Sequence, residues 1–329
     1  MPDSLWLNPV VRLLLLGTHD NESPLRKLRG LDVIVRAVLD HLMAVWRAQL
    51  CTDRRGYVQL REVEGMRISA TITAEPIEFR PHIVTFPPPL TRFIDGMEMP
   101  KPFHVNMMPF IIGDRKSLPP ECQRYVQLLN ECYSPGQQGK VGYLTIHEGV
   151  VEAGASQRRP GLHVEAPNAM QLQTTKVGGG ASSFQWREIR WGRGWYLEKQ
   201  LLGGIYMAST VANSCSVWNT VVADDNDIVG TLGETDVLYG TLDRDRDGYY
   251  ELQANELIWI TDRTPHESLP VATTQFRQYF RFVTSDVSVW FADHSTPNPL
   301  GIQPTATIIH GSKFDGNLSI EPKAKAGTP

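Results

Sequence analysis

Residues 249–271 read YYELQANELIWITDRTPHESLPV, an alternating apolar run, a turn over Asp262–Pro265, and then His266 at the start of a further strand. About a hundred residues upstream, RRPGLHVEAP sets His163 and Glu165 two positions apart, in a short segment bounded by Pro160-Gly161 and Ala166-Pro167. Side chains two apart on a strand face the same way. His163 and Glu165 are therefore expected to reach one metal ion, with His266 on a neighbouring strand completing the ligand set. Two imidazoles and one carboxylate leave coordination positions open and suit Fe(II), Mn(II), Co(II) or Zn(II). Imidazoles more than about 8 Å apart could not share the ion, since ligand bonds are near 2 Å.

Working outward, the chain changes character near Val141. Beyond it, strands are predicted at about 141–147, 161–166, 203–211, 215–222, 236–242, 249–260, 266–271 and 276–291, separated by Gly, Asp and Asn clusters. Some eight strands without a helix between them predict a sandwich, jelly roll or barrel-like double sheet. Before Val141 the chain is mixed. Ser23-Pro24 is a helix start, followed by Leu31, Ile34, Val35, Val38, Leu42, Val45 and Trp46 at helical spacing. From Met66 the period becomes two, through Ile68, Ala70 and Ile72. A Pro-rich stretch covering PHIVTFPPPL and MPKPFHVNMMPF reads as an irregular connection. Pro119 opens a second helix, with Cys122, Tyr125, Val126, Leu129, Cys132 and Tyr133 on one side. The expected organisation is a helical and irregular part over 1–140, a β core over 141–300, and an extension and solvated tail over 301–329.

The segment LQANELIWITDRTPHE resembles the second motif of the cupin, or double-stranded β-helix, superfamily, in which a strand, a turn and a His deliver the last metal ligand. GLHVE is similar to the first ligand pair of the Fe(II)/2-oxoglutarate-dependent oxygenases built on that fold. The resemblance covers about 160–290. It implies a mainly β fold with a double-stranded β-helix core, Fe(II) held by His163, Glu165 and His266, and oxidation of a small molecule. It also implies a basic residue on a late strand for the far carboxylate of 2-oxoglutarate. QFRQYFRF supplies Arg277 and Arg281, eleven and fifteen positions after His266 and on one strand face. An Arg fork matches a carboxylate in bidentate fashion. The chain departs from the commonest family pattern by using Glu165 where Asp is more frequent. The long interval between the histidines also requires an insertion, at 167–200 or 223–248.

Trp186, Trp191 and Trp195 interleave with Arg187, Arg190 and Arg193; the segment packs its indoles on the sheet or contacts substrate. Trp191, Arg193 and Tyr279 are the substrate-contact candidates. Asp243, Asp245 and Asp247 with Gly248 and Glu251 could wrap Ca2+, or form an acidic hairpin neutralised by its own arginines. Gly178–Gly180 lacks the Lys-Ser/Thr ending of a phosphate loop and reads as a flexible loop. His82, His104 and His147 have no partner at ligand spacing and read as structural. His294 reads as a loop cap or an added ligand. No Gly-x-Ser-x-Gly nucleophile motif occurs.

With 32 basic and 36 acidic residues, charge gives no case for nucleic acid or a membrane surface as the main partner. Four scattered cysteines suggest a reducing compartment and a cytoplasmic protein. The run VVRLLLLG lacks the flanks of a signal peptide. A homodimer would cover edge strands. Two alternatives remain beside the oxygenase. One is a cupin dioxygenase, isomerase or hydrolase that does not use 2-oxoglutarate. The other is a non-catalytic β-sandwich binding module.

Overall fold

The computed structural model describes residues 57–63, 66–72 and, with short breaks, 81–320. All its elements lie in the unit Leu50–Pro329. The long helix expected over 24–50, the VVRLLLLG run, the glycines at 178–180, Asp243, Asp245, Asp247 and the last nine residues lie outside the described residues. Among the described residues, no helix is long and apolar enough to cross a membrane.

The protein is mainly β, in predominantly antiparallel sheets. In chain order the first strands are β1 (Tyr57–Val63), β2 (Met66–Ile72), β3 (His82–Ile83), β4 (Thr91–Ile94), β5 (Met97–Pro100) and β6 (Phe103–Ile111). Two short helices follow, α1 (Pro120–Gln123) and α2 (Val126–Glu131). Then come β7 (Val141–Val151), β8 (Met170–Thr174), β9 (Ser183–Arg187), β10 (Gly194–Leu197), β11 (Gln200–Gly203), β12 (Ile205–Ser209) and β13 (Cys215–Trp218). The last are β14 (Tyr249–Glu251), β15 (Glu256–Ile260), β16 (His266–Ser268), β17 (Gln275–Val283), β18 (Val289–Phe291), β19 (Thr307–His310) and β20 (Ser319–Ile320).

A six-stranded sheet, ordered β3-β15-β12-β17-β7-β6, forms the body of the protein. Its central strands show why. QFRQYFRFV and VGYLTIHEGVV are rich in β-branched and aromatic residues, and their alternation sends two unlike sets of side chains to opposite faces. Leu144, Ile146, Phe280 and Phe282 point to one face, where they pack with Cys122, Tyr125 and Leu128 of the helical segment. Tyr143, Tyr279 and Val283 point to the other, where they share a core with Cys215 and Val217 of a three-stranded sheet, β14-β13-β16. The candidate site lies between these two sheets.

The structure departs from the sequence expectations in several places. The Pro-rich stretch contains β6, the outer strand beside β7, and not only irregular chain. Pro109 is tolerated there because an edge strand can do without one ladder donor. A register shift between Val105 and Met108 puts Met107 at a φ of 47°, which disguises the alternation. The second helix is broken. Tyr125 lies between α1 and α2, and its hydroxyl and Arg124 both turn inward to the buried Glu148 of β7. Beyond residue 300, β19 pairs with β18 and β20, and β20 pairs with β8.

Candidate metal centre

His266 opens β16, where Pro265 has just left the Asp262–Pro265 turn. His163 is not in a strand, contrary to the 161–166 expectation, because its segment makes only single bridges on each side, to His266 and to Glu234. Those bridges still fix it. His163 and His266 exchange both backbone hydrogen bonds, at 3.0 and 2.9 Å. Val164 donates to the Gly233 carbonyl at 2.7 Å. Directly opposed residues in an antiparallel pair send their side chains to one face. The two imidazoles accordingly lie with centroids 4.5 Å apart, well inside the limit for sharing an ion.

The ring orientations are set by second contacts. His163 Nδ1 is 2.7 Å from the Gly161 carbonyl, and His266 Nδ1 is 2.9 Å from that of Thr264. A carbonyl oxygen only accepts, so each Nδ1 carries the proton, and a neutral ring keeps its lone pair on Nε2. Metal-binding histidines are commonly oriented this way. His266 Nε2 lies 3.5 Å from Glu165 Oε1. The same carboxylate oxygen accepts a short hydrogen bond from Arg281 Nη1. Burial pushes the Glu165 carboxyl upward, but Arg281 and the adjacent imidazoles outweigh it and hold the group well below the usual carboxylate range. Burial, reinforced by His266, brings His163 down to about 3, so its imidazole is neutral at pH 7.

Two imidazoles and a carboxylate are donor types that a divalent transition metal takes. Among the described residues no three ligating groups stand in finished ligand geometry. Arg281, rather than the imidazoles, is the nearest partner of Glu165.

The three residues line a cavity of about 110 Å³. Arg277, Tyr279 and Arg281 of β17 line it too, and Met107, Trp191 and Phe291 add apolar wall. Arg277 is fully buried. Its Nε donates to Ser209 Oγ at 2.9 Å and Nη2 reaches the Ser214 carbonyl at 3.4 Å, while Nη1 has no partner among the described residues. Burial lowers its pKa without discharging it. Trp191 stacks on Phe291 and donates Nε1–H to Met107 Sδ at 3.3 Å. Arg193 does not line the cavity. His294 does, from a single turn whose carbonyl accepts from Asn106 Nδ2 at 2.6 Å. The side chains of Trp186, Arg187 and Trp195 lie outside the described residues.

Two cavity-side residues escaped the sequence reading. Arg158, five residues before His163, lines the cavity with a guanidinium nitrogen 3.0 Å from His147 Nε2. His147 has no partner at ligand spacing, because its neighbours in the site come only from sheet register, in which it pairs with Tyr279 on β17 and His104 on β6. The basic doublet Arg158-Arg159 so close to His163 was the available signal.

No family model matches the chain, and neither does any curated protein. A solved structure, HygX from Streptomyces hygroscopicus with iron bound, is similar over 53% of this chain and 70% of its own, at 9% identity and a TM-score of 0.27. That likeness is distant.

Proposed function

We propose that the protein is a non-haem Fe(II) oxygenase, 2-oxoglutarate-dependent, acting on a small molecule, and that its two facing sheets are the halves of a double-stranded β-helix. One observation carries the reading: two imidazoles with anchored Nδ1 atoms face an ionised carboxylate, in the same cavity as a buried guanidinium with an unpartnered nitrogen. His163, His266 and Glu165 would hold the iron. Bound iron with 2-oxoglutarate would supply O2 activation coupled to decarboxylation, and so oxidation of a C–H bond. The chain's own part is geometric and electrostatic. Arg277 offers Nη1 to the far carboxylate of 2-oxoglutarate, backed by Ser209 and the Ser214 carbonyl. Arg281 keeps Glu165 ionised and fixes its direction. Met107, Trp191 and Phe291 exclude water from the reacting side. Arg277 is preferred to Arg281 as the carboxylate receptor because Arg281 is already committed to Glu165.

The test is metal content of protein purified without chelator, alongside His163→Ala and His266→Ala, followed by 2-oxoglutarate binding. About one equivalent of metal, lost in both variants, with 2-oxoglutarate affinity lost in Arg277→Met, is the expected result. Metal bound without any 2-oxoglutarate affinity would favour a metal-dependent enzyme of another class. Protein that takes up no Fe(II) anaerobically would refute the proposal and favour a binding module.

A further inference from the structure

The cavity walls carry more positive charge than the site described so far uses. Four guanidiniums face it, from Arg158, Arg159, Arg277 and Arg281, against two carboxylates, Glu165 and Glu267. Arg281 pairs with Glu165, and Arg159 with Glu234 at 3.7 Å. Glu267 is satisfied by neutral donors, the Tyr239 hydroxyl at 2.7 Å and Ser216 Oγ at 3.3 Å. Arg158 and Arg277 have no carboxylate partner among the described residues. A bound dication and a dianionic 2-oxoglutarate would cancel each other and leave this excess in place. Buried or half-buried cations without counter-charge are costly, and such clusters are arranged for anionic ligands.

Arg158 is also built into position. Its guanidinium lies 5.5 Å from the centroid of the Tyr279 ring, as does that of Arg277. The two cations are thus separated by no more than twice that distance. His147 Nε2, on β7, stands 3.0 Å from Arg158 Nη1, and because guanidinium nitrogens only donate, the imidazole accepts. The loop bearing Arg158 is tied to β17 by Gln157 Nε2, which donates to the Arg277 carbonyl at 3.3 Å. A long surface cation would not need an imidazole and an aromatic face to hold it in place.

We infer that Arg158 is a second anion receptor, separate from Arg277, and that the substrate oxidised here carries a carboxylate or phosphate group seated on it. This rests on the oxygenase reading for the role of Arg277. His147 is a positioning residue that aims the guanidinium.

The experiment is calorimetric titration of the full chain, loaded with Mn(II) and saturated with 2-oxoglutarate, with three probes of matched shape: benzoate, phenyl phosphate and benzamide. Wild type should bind at least one anionic probe ten-fold or more tighter than benzamide, and the tighter of the two identifies the group. Arg158→Gln should lose that preference while keeping its 2-oxoglutarate affinity, Arg158→Lys should keep part of it, and His147→Phe should weaken it. Benzamide binding as well as both anions, an unchanged preference in Arg158→Gln, or competition between probe and 2-oxoglutarate would each overturn the inference. If neither Mn(II) nor 2-oxoglutarate binds, the oxygenase reading fails on its own. The same titration of metal-free protein and of Arg277→Met then decides the Arg158 receptor separately: an Arg158-dependent anion preference upholds it, and its absence overturns it.

Discussion

Replacing Arg281 by Met separates a metal centre from a mere buried ion pair. Arg281 is 6% exposed, and its guanidinium is the nearest countercharge to Glu165. Removing one partner of such a pair leaves an uncompensated buried carboxylate, at a cost of about 3–5 kcal/mol. For a unit of this size each kcal/mol moves Tm by roughly 2 °C, so the chelator-treated variant should melt about 6–10 °C below wild type. A divalent ion between Glu165 and the imidazoles replaces the lost charge. Ligand at a hundred-fold excess over its Kd adds about 2.7 kcal/mol to the folded state. The gain should be larger in the variant than in wild type, because the ion no longer shares the carboxylate with a guanidinium. Differential scanning calorimetry with chelator and with Mn(II) reads both effects, and adding His163→Ala to the variant removes the ligand set. A deficit unchanged by metal, or a rescue that survives His163→Ala, would refute the reasoning.

Arg277→Met removes a buried cation with an unpartnered nitrogen, so Tm should stay level or rise while calorimetric 2-oxoglutarate affinity falls at least a hundred-fold; a large drop in Tm would mark the residue as structural instead. Glu148→Ala strips the partner from Tyr125, Gln278 and Arg124 on the helix-covered face of the sheet, away from the cavity. Urea unfolding should show a loss of about 3–5 kcal/mol, with metal affinity of the folded protein unchanged. The His147 imidazole is brought down to about 3 by burial first, then by Arg158, His104, Arg281 and Arg277. Its folded value lies below the unfolded one of about 6.5. Its contribution is therefore complete above that pH and is lost as pH falls toward 3, by about 1.4 kcal/mol per unit. Between pH 6.5 and 5, wild type should lose about 2 kcal/mol more than His147→Phe in urea titrations, and parallel slopes would contradict this.

The parts of the fold legible in the sequence are those where one residue pattern decides the structure locally. QFRQYFRF shows its two faces by alternation alone, and β17 displays them. NELIWI followed by a turn and His266 reads directly as β15 and β16. The expected strand over 249–260 nevertheless divides into β14 and β15, because Asn255 takes a φ of 63° at the turn between them. Strands expected at 215–222 and 276–291 stop or break earlier, at Trp218 and Val283. Within 236–242 the described residues form no strand; Leu238 and Tyr239 turn there instead. The convergence of His163 with His266 needed only a same-face argument and a neighbouring strand, although the His163 segment is too irregular to count as one. That Arg158 meets His147 was out of reach, because their meeting depends on which strands pair and in what register. No local spacing encodes that. Arg193, expected at the substrate from its basic-aromatic segment between the ligand-bearing strands, is not among the residues that line the cavity.

The two faces of β17 also bear on how the protein could be altered. Arg277, Tyr279 and Arg281 point into the cavity, while Phe280 and Phe282 belong to the packing beneath the helices. Chemistry and scaffold are thus written in alternate letters of one nine-residue word. Randomising the odd-numbered positions from 277 to 281 would redraw what the cavity accepts without disturbing the helix side. A single inserted residue in the same strand would exchange the two vocabularies and lose both at once.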